Sequence, residues 1–407
     1  TIRTFFQPTE YGTWTGYIDK IKPKVTPMDW DFTIEDVKPG LVWGAQVLQK
    51  LAREIRNTEN RLIQAEKMAA MDSMFHGTSY PKAQLDQAWR DLMLSQHHDC
   101  WIVPYNNMSG RTWADNVTQW TTSANQIADQ IIQSAFEHLP GQPTENRRTV
   151  AVFNTLGTAR TETVSVELPA DLDPLQCQVQ DNQGNPVPTQ AGNGRLLLFR
   201  ATVPAMGYTT FTLIKSTQTH ESENSQKQND DLIQIETPYY HATFDPRQGG
   251  GITSLLARQM GNIQLVQDGK VLNSLRGKLY DEKRLVTSSD TPAQVQVVDD
   301  GKLQVRVQVT DQWAGNPYTQ TITFYHHHPR IDCQLDIDWQ GQPGIGAYSQ
   351  QDRYRNEDLA KALYNDQYKL HIQFPLQDMG GHLIKNAPFD VCLSRLENTL
   401  YDRWDQI

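Results

Sequence analysis

The spacing of apolar residues changes once along this chain, at the polar segment 140–148. Between residues 41 and 139, apolar side chains recur at three- and four-residue steps, which is the spacing of amphipathic helices. From residue 149 onward they alternate in short runs bounded by Gly, Pro and Asn, which is the spacing of β-strands. We therefore predict an α+β multidomain protein in which a three-helix bundle is followed by antiparallel β-sandwich domains.

The helical part is predicted to form one bundle, over residues 41–140. Its apolar stripes predict helices at 41–70, 85–96 and 113–139. Because indole rings bury a large apolar area, we expect Trp113 and Trp120 to anchor the bundle core.

The remaining segments follow from composition and strand spacing. Residues 1–40 are interrupted by four prolines and three glycines, and we expect an irregular connector there. A small antiparallel β domain is predicted at 149–215, and the polar stretch 216–231 is expected to be a linker. A large β-sandwich follows at 231–407. It stops without a turn or cap, so we expect it to be truncated at its C-terminus.

Charge and cysteine content exclude several classes of function. The net charge of −10 argues against nucleic acid or an anionic membrane surface as a partner. There is no run of about 18 apolar residues, so no membrane span is expected. The four cysteines are too far apart for a disulfide framework or a metal knuckle, which favours a cytoplasmic location.

Chemistry-bearing side chains are concentrated in Ser95–Asn107, which reads SQHHDCWIVPYNN. An amphipathic run precedes this segment, and Pro104 prevents a long continuation of the helix. His97 and His98 should therefore lie at a helix C-terminus, where partial negative charge favours a metal ion or a protonated imidazole. Capping histidines are equally compatible with these residues, since zinc needs three or four ligands.

The same segment resembles the zinc-histidine segment of the glycoside hydrolase family 38 α-mannosidases. The resemblance lies in SQHHD, preceded by AWRDLML and followed by VPYN. Two later stretches, VFNTLGTARTETVSVELP and YYHATFDPRQGGGITSLLARQMGN, resemble the starts of that family's first β domain and large β-sandwich. The chain thus resembles the bundle and β domains of such an enzyme, without its N-terminal catalytic α/β domain.

The resemblance implies the retaining hydrolysis of α-mannosides, which requires two carboxyl groups and, in this family, a zinc ion that binds sugar hydroxyls. It places one zinc ligand at His98 and a sugar contact at Asp99, with His97 as a supporting residue. Trp101 and Tyr105 are candidate substrate-binding residues that stack on a sugar, or they pack on another domain.

The other zinc ligands of the family would come from a separate His-x-Asp motif, and the only match here is His97–Asp99 itself. We therefore expect no catalytic residue in this chain and zinc binding only together with the missing domain. The chain alone should be inactive. Its expected partners are α-mannoside oligosaccharides, and a bundle face exposed around His98 should promote self-association.

Two other functions compete with this interpretation. One is a non-catalytic carbohydrate-binding or interaction module of β-sandwich type. The other is a complete hydrolase that uses carboxylates elsewhere in the chain, although no βα-repeat pattern supports it. Three consecutive histidines, His326–His328, precede a predicted hairpin. On an extended chain they would point in alternating directions, so a metal site there is disfavoured.

Overall fold

The computed structural model describes most of the chain in several ranges. These are residues 11–26, 49–98, 100, 107–108, 110–138, 148–215, 232–279, 282, 284–341, 370–378, 380, 382, 384–387 and 390–393. The chain divides into two compact units, one made of residues 1–38 and 382–402 and the other of residues 39–381 and 403–407.

The described residues of the smaller unit include one α-helix and one strand pair. Helix α1 spans Trp14–Ile21, and Thr13 caps it by accepting a hydrogen bond from the Gly16 amide at 3.1 Å. The sequence analysis did not identify this two-turn helix. Strands β20 (Ile384–Ala387) and β21 (Asp390–Leu393) pair in antiparallel fashion.

The larger unit begins with the predicted bundle. Its helices are α2 (Gln49–His76), α3 (Lys82–Ser95) and α4 (Trp113–Glu137). The start predicted for the first helix, residues 41–48, lies outside the described residues. Helix α2 also continues six residues beyond its predicted end, and Gly77 follows it with φ 71°, the left-handed conformation that often ends a helix.

The bundle core is built from leucines and small residues on the three apolar stripes. Leu62, Leu92 and Ala124 are fully buried, and the alanines allow the helices to approach closely. Thr112 caps α4 in a reciprocal capping box with Asp115. Between α3 and α4, the short strands β1 (Asn107–Met108) and β2 (Arg111–Thr112) form a hairpin.

The next segment folds into two three-stranded antiparallel sheets, which we call the first sandwich. Phe199 and Phe211 meet in its core with ring centroids 4.9 Å apart. The sheet orders are β3-β8-β5 and β4-β7-β6. The strands are β3 (Arg148–Asn154), β4 (Arg160–Glu167), β5 (Cys177–Gln180), β6 (Thr189–Ala191), β7 (Leu196–Val203) and β8 (Gly207–Lys215).

Two four-stranded antiparallel sheets, β12-β11-β10-β9 and β15-β16-β17-β18, form the second sandwich. Their inward side chains share one core, in which Phe244 and Phe324 pack edge to face at 6.1 Å. The strands are β9 (Ile233–Glu236), β10 (Tyr240–Asp245), β11 (Gly251–Ala257), β12 (Ile263–Gln264), β15 (Gln294–Asp300), β16 (Gln304–Trp313), β17 (Asn316–Tyr325) and β18 (Ile331–Ile337).

A further antiparallel sheet of the larger unit is made of β13 (Ser274–Leu279), β14 (Arg284–Thr287) and β19 (His371–Gln373). Its strand order is β14-β13-β19. Trp313 packs fully buried against Leu275, and its indole N–H donates to the Val286 carbonyl at 3.3 Å. The adjacent hairpin turn, Ala314–Gly315, has positive φ at both residues, as a type I′ turn requires.

Side chains join these parts of the larger unit. Phe136 of α4 packs edge to face on Phe153 of β3 at 4.9 Å, and Lys67 of α2 donates to the Thr155 carbonyl at 2.8 Å. The described residues therefore confirm the predicted fold class. No described helix is long and apolar enough to cross a membrane.

Candidate functional site

The His97–His98 turn lies directly after α3, at the helix C-terminus predicted from the sequence. The Gln96 amide donates to the Leu92 carbonyl at 3.1 Å, and the His97 amide donates to the Leu94 carbonyl at 3.2 Å. These bonds tighten the last turn and end the helix. Three of the sequence-predicted site residues, Asp99, Trp101 and Tyr105, lie outside the described residues.

Both histidines of the turn are exposed. The ring of His98 stacks on that of His97 with centroids 4.6 Å apart. His97 in turn stacks on Trp113 at 6.4 Å, and this half-buried indole packs against the bundle core. The stack therefore holds His98 at the bundle surface, and a His98 sealed inside the core would have excluded the zinc assignment.

Cys100, whose role the sequence left open, is a core residue. It is 1% exposed and belongs to the bundle core. Its amide donates to the His97 carbonyl at 3.0 Å. The buried thiol thus anchors the chain immediately after the two histidines.

Apolar side chains are exposed beside this turn. Met93 and Leu94, in the last turn of α3, are 58% and 49% exposed. These two side chains add apolar surface next to the exposed imidazoles.

A second group of polar side chains, which was not predicted from the sequence, lies at the C-terminal end of α2. The Asp72 carboxylate lies 2.8 Å from His76 Nδ1 and 3.0 Å from His138 Nδ1, and it accepts a hydrogen bond from Thr78 at 2.7 Å. The i, i+4 spacing of Asp72 and His76 on one helix was a signal for part of this group.

This group borders a cavity of about 250 Å³. Its polar lining includes Ser79, Gln84, Gln130 and Ser134. Burial alone would raise the pKa of Asp72, but hydrogen bonds from Thr78 and the two histidines hold it below its ordinary value. The carboxylate is thus kept ionised where α2 and α4 end.

A third group of polar side chains lies where the first and second sandwiches meet. Glu162 on β4 lies beside His327 and His328, and one ligand atom from each residue lies within 4.8 Å of the others. Extended chain was expected at these histidines, but residues 326–329 form a bend between β17 and β18. A bend turns two successive rings towards one side, which an extended strand does not.

Comparisons with known proteins found one matching family model and similar solved structures. Residues 47–139 match the family model for the alpha mannosidase middle domain. No protein of a curated collection matches the chain. Among solved structures, the fold resembles a protein in the glycosyl hydrolase family 38 from Enterococcus faecalis, with a TM-score of 0.54 and 15% identity. The match covers 81% of this chain and 47% of that protein, so the chain spans about half the length of that protein.

The two comparisons cover complementary features. The family model spans the three helices and the His97–His98 turn, while the structural match extends over most of the chain. They agree with the resemblance seen in the sequence: residues 47–139 are similar to the alpha mannosidase middle domain, and the fold of most of the chain is similar to that of a glycosyl hydrolase family 38 protein.

Proposed function

We propose that this chain is part of a zinc-dependent retaining α-mannosidase and supplies one zinc ligand, His98. The observation that carries the proposal is the position of His98, exposed directly after α3 within the segment that matches the middle domain. An exposed ring can reach a metal ion held mainly by residues outside this chain. A ring inside the bundle could not.

The local chemistry fits one ligand of a zinc site. The carbonyl groups at the end of α3 carry partial negative charge, which favours a cation nearby. Imidazole is a common zinc ligand, and stacking on His97 restricts the orientation of the His98 ring. When zinc is bound, it supplies a Lewis acid that holds sugar hydroxyls and stabilises ring distortion.

The neighbouring residues receive roles by the same proposal. Asp99 accepts hydrogen bonds from sugar hydroxyls, and Trp101 and Tyr105 offer apolar ring faces to the sugar. The burial of Cys100 supports this arrangement, because it fixes the chain between Asp99 and Trp101, two residues after His98.

The chain alone should not hydrolyse α-mannosides. One imidazole does not hold zinc well when sites of this kind use three or four protein ligands. Retaining hydrolysis also needs a nucleophile and an acid/base about 5–5.5 Å apart, and we assign neither to this chain. Turnover of a chromogenic α-mannoside by the 407-residue chain would contradict this part of the proposal.

The zinc assignment is tested in a longer form of the protein that carries the remaining ligands. There His98→Ala should lower the zinc content by one ion per chain and abolish the α-mannosidase activity, while circular dichroism stays unchanged. His326→Gln is the matched control and should retain both. A His98→Ala protein with normal zinc content and activity would overturn the assignment.

A carbohydrate-binding module without catalysis has less support. An open groove of about 990 Å³ lies at one end of the second sandwich, and Asp311, Asp336 and Asp338 are among its lining residues. Sugar-binding surfaces commonly use exposed aromatic rings, but the aromatic residue among those that line this groove, Tyr318, is only 3% exposed.

A further inference from the structure

The junction of the two sandwiches brings together metal-ligating side chains from distant parts of the sequence. Glu162 lies on β4 of the first sandwich, and its side chain is 27% exposed. His327 and His328 lie in the bend between β17 and β18 of the second sandwich. The three ligand atoms lie within 4.8 Å of one another, so one ion could contact all three after small side-chain rotations.

The ring nitrogens of the two histidines lack hydrogen-bond partners. Both nitrogens of His327 and both of His328 are buried and accept or donate no hydrogen bond among the described residues. The nearest acidic atom, Glu162 Oε2, is 3.8 Å from His328 Nε2, which is too long for a hydrogen bond. Buried polar atoms in native proteins usually have hydrogen-bond partners, and these ring nitrogens have none in the part of the chain that the structure describes. A bound metal ion would supply the missing partner.

We propose that Glu162, His327 and His328 bind a divalent transition-metal ion, such as zinc, that links the first and second sandwiches. This site is separate from the zinc ligand proposed at His98. It does not depend on the proposed hydrolase activity, because all three of its ligands belong to this chain and none of them has a role in that activity.

The ligand set and its dimensions agree with such an ion. Two imidazoles and one carboxylate are a known ligand set for zinc, with a fourth position left for water. Ligand atoms on a tetrahedral zinc ion lie about 3.4 Å apart, because each metal–ligand bond is about 2.1 Å long. The cluster must therefore contract by rather more than an ångström, which rotation about side-chain torsions can supply.

The positive charges of the two arginines near Glu162 repel a metal cation. Their other contacts show how the carboxylate can still bind one. Arg160 is hydrogen-bonded to Oε1 and so orients the carboxylate, leaving Oε2 for a metal. Arg330 lies 3.6 Å from Oε2 but also binds Asp332 at 3.0 Å and stacks over Tyr325 at 5.0 Å. Because Arg330 also contacts Asp332 and Tyr325, its guanidinium keeps these two partners if it moves away from Oε2.

The protonation state also favours metal binding. Burial lowers the pKa of His327 below its ordinary value, and the nearby charges of His328, Arg200 and Arg330 lower it further, against the opposing effect of Glu162. A neutral imidazole is the form that ligates a metal. The pKa of Glu162 lies below its ordinary value. Burial raises it, but the hydrogen bond and charge of Arg160 and the charges of Arg330 and His328 together outweigh burial, so the carboxylate is ionised.

Zinc titration of the metal-free 407-residue chain, without a histidine tag, tests the proposal. Isothermal titration calorimetry should give one zinc ion per chain. His328→Gln should weaken binding at least about tenfold, the size expected even for changes outside the direct ligands. The adjacent His326→Gln is the matched control and should bind like the unmodified chain, as should His98→Ala.

Arg330→Gln distinguishes metal binding by the cluster from a purely structural role of its side chains. Removing its positive charge should raise zinc affinity, because like-charge repulsion at Oε2 is removed. Cobalt substituted for zinc should give visible absorption bands typical of low coordination number, and His328→Gln should abolish them.

Three outcomes would overturn the proposal: no zinc binding by the unmodified chain, unchanged binding in the His327→Gln/His328→Gln double variant, or binding lost in His98→Ala alone. Each variant is compared by circular dichroism without metal. If His328→Gln does not fold, Glu162→Gln is used, because it removes the carboxylate charge while keeping the side-chain shape.

Discussion

The carboxylate of Asp72 lies 3.0 Å from the Nδ1 atom of His138, sixty-six residues later in the chain. His138 follows α4, whereas Asp72 lies in the last two turns of α2. The other oxygen of Asp72 contacts His76, so one buried carboxylate joins the ends of two helices. Such a group is costly to bury unless its partners are all present.

We therefore expect Asp72→Asn to destabilise the bundle by about 1–3 kcal/mol, because the amide cannot accept all the hydrogen bonds that the carboxylate accepts. Urea unfolding followed by circular dichroism measures the change. Asp129→Asn is the control, since Asp129 is 58% exposed and pairs with Arg61 at the surface. Its expected effect is under about 1 kcal/mol. Equal losses in the two variants would contradict the role of Asp72.

The contribution of Asp72 should also depend on pH. Its pKa in the folded protein lies below the ordinary value of 3.8, because hydrogen bonds outweigh burial. The unfolded chain therefore binds the proton more readily, and the stabilisation present above pH 3.8 is lost as pH falls through the lower, folded-state pKa. The stability difference between the unmodified chain and Asp72→Asn should be constant from about pH 5 to 6 and narrow in more acidic solution. A difference that widened on acidification would contradict this assignment.

A buried glutamine next to a glycine connects the two sandwiches. Gln190 donates to Asp299 at 2.6 Å and accepts the Leu303 amide at 2.8 Å. A Cβ atom on Gly301 would lie 2.4 Å from Cδ of Gln190, so Gly301→Ala should displace that side chain. We expect a loss of about 1–3 kcal/mol in the free energy of unfolding.

Gly157→Ala is the control for this substitution, because no atom lies within 4 Å of the added Cβ. Thermal or urea unfolding of both variants distinguishes a local collision from a general effect of removing glycine. A Gly301→Ala protein as stable as Gly157→Ala would show that Gln190 is not confined at this junction.

The exposed apolar residues at the end of α3 should promote self-association of the isolated chain. Met93→Glu should reduce it, because a charge replaces apolar surface beside His98. Met260→Glu is the control, since Met260 is similarly exposed, at 56%, on the second sandwich. Sedimentation velocity over a range of protein concentrations measures the effect. The same concentration dependence in Met93→Glu as in the unmodified chain would contradict a role for this face.

The sequence by itself determined the three helices of the bundle, the change to antiparallel strands after it, and their order. Apolar spacing is a local property, because a helix or strand buries the side chains that its own periodicity brings to one face. The bundle, the antiparallel strands and the location of His98 directly after a helix could all be predicted for this reason. The pair Asp72 and His76 was not found in this way, because the helix predicted from the sequence ended at residue 70, before both of them.

Only the tertiary structure decided which distant side chains meet. His138 reaches Asp72 because α2 and α4 pack side by side, and Glu162 reaches His328 because the two sandwiches share a junction. These contacts depend on packing between elements and on a bend at residues 326–329, where the sequence pattern indicated extended chain. Local periodicity carries no information about partners in distant elements, and so the grouping of Glu162, His327 and His328 became visible only in the folded molecule.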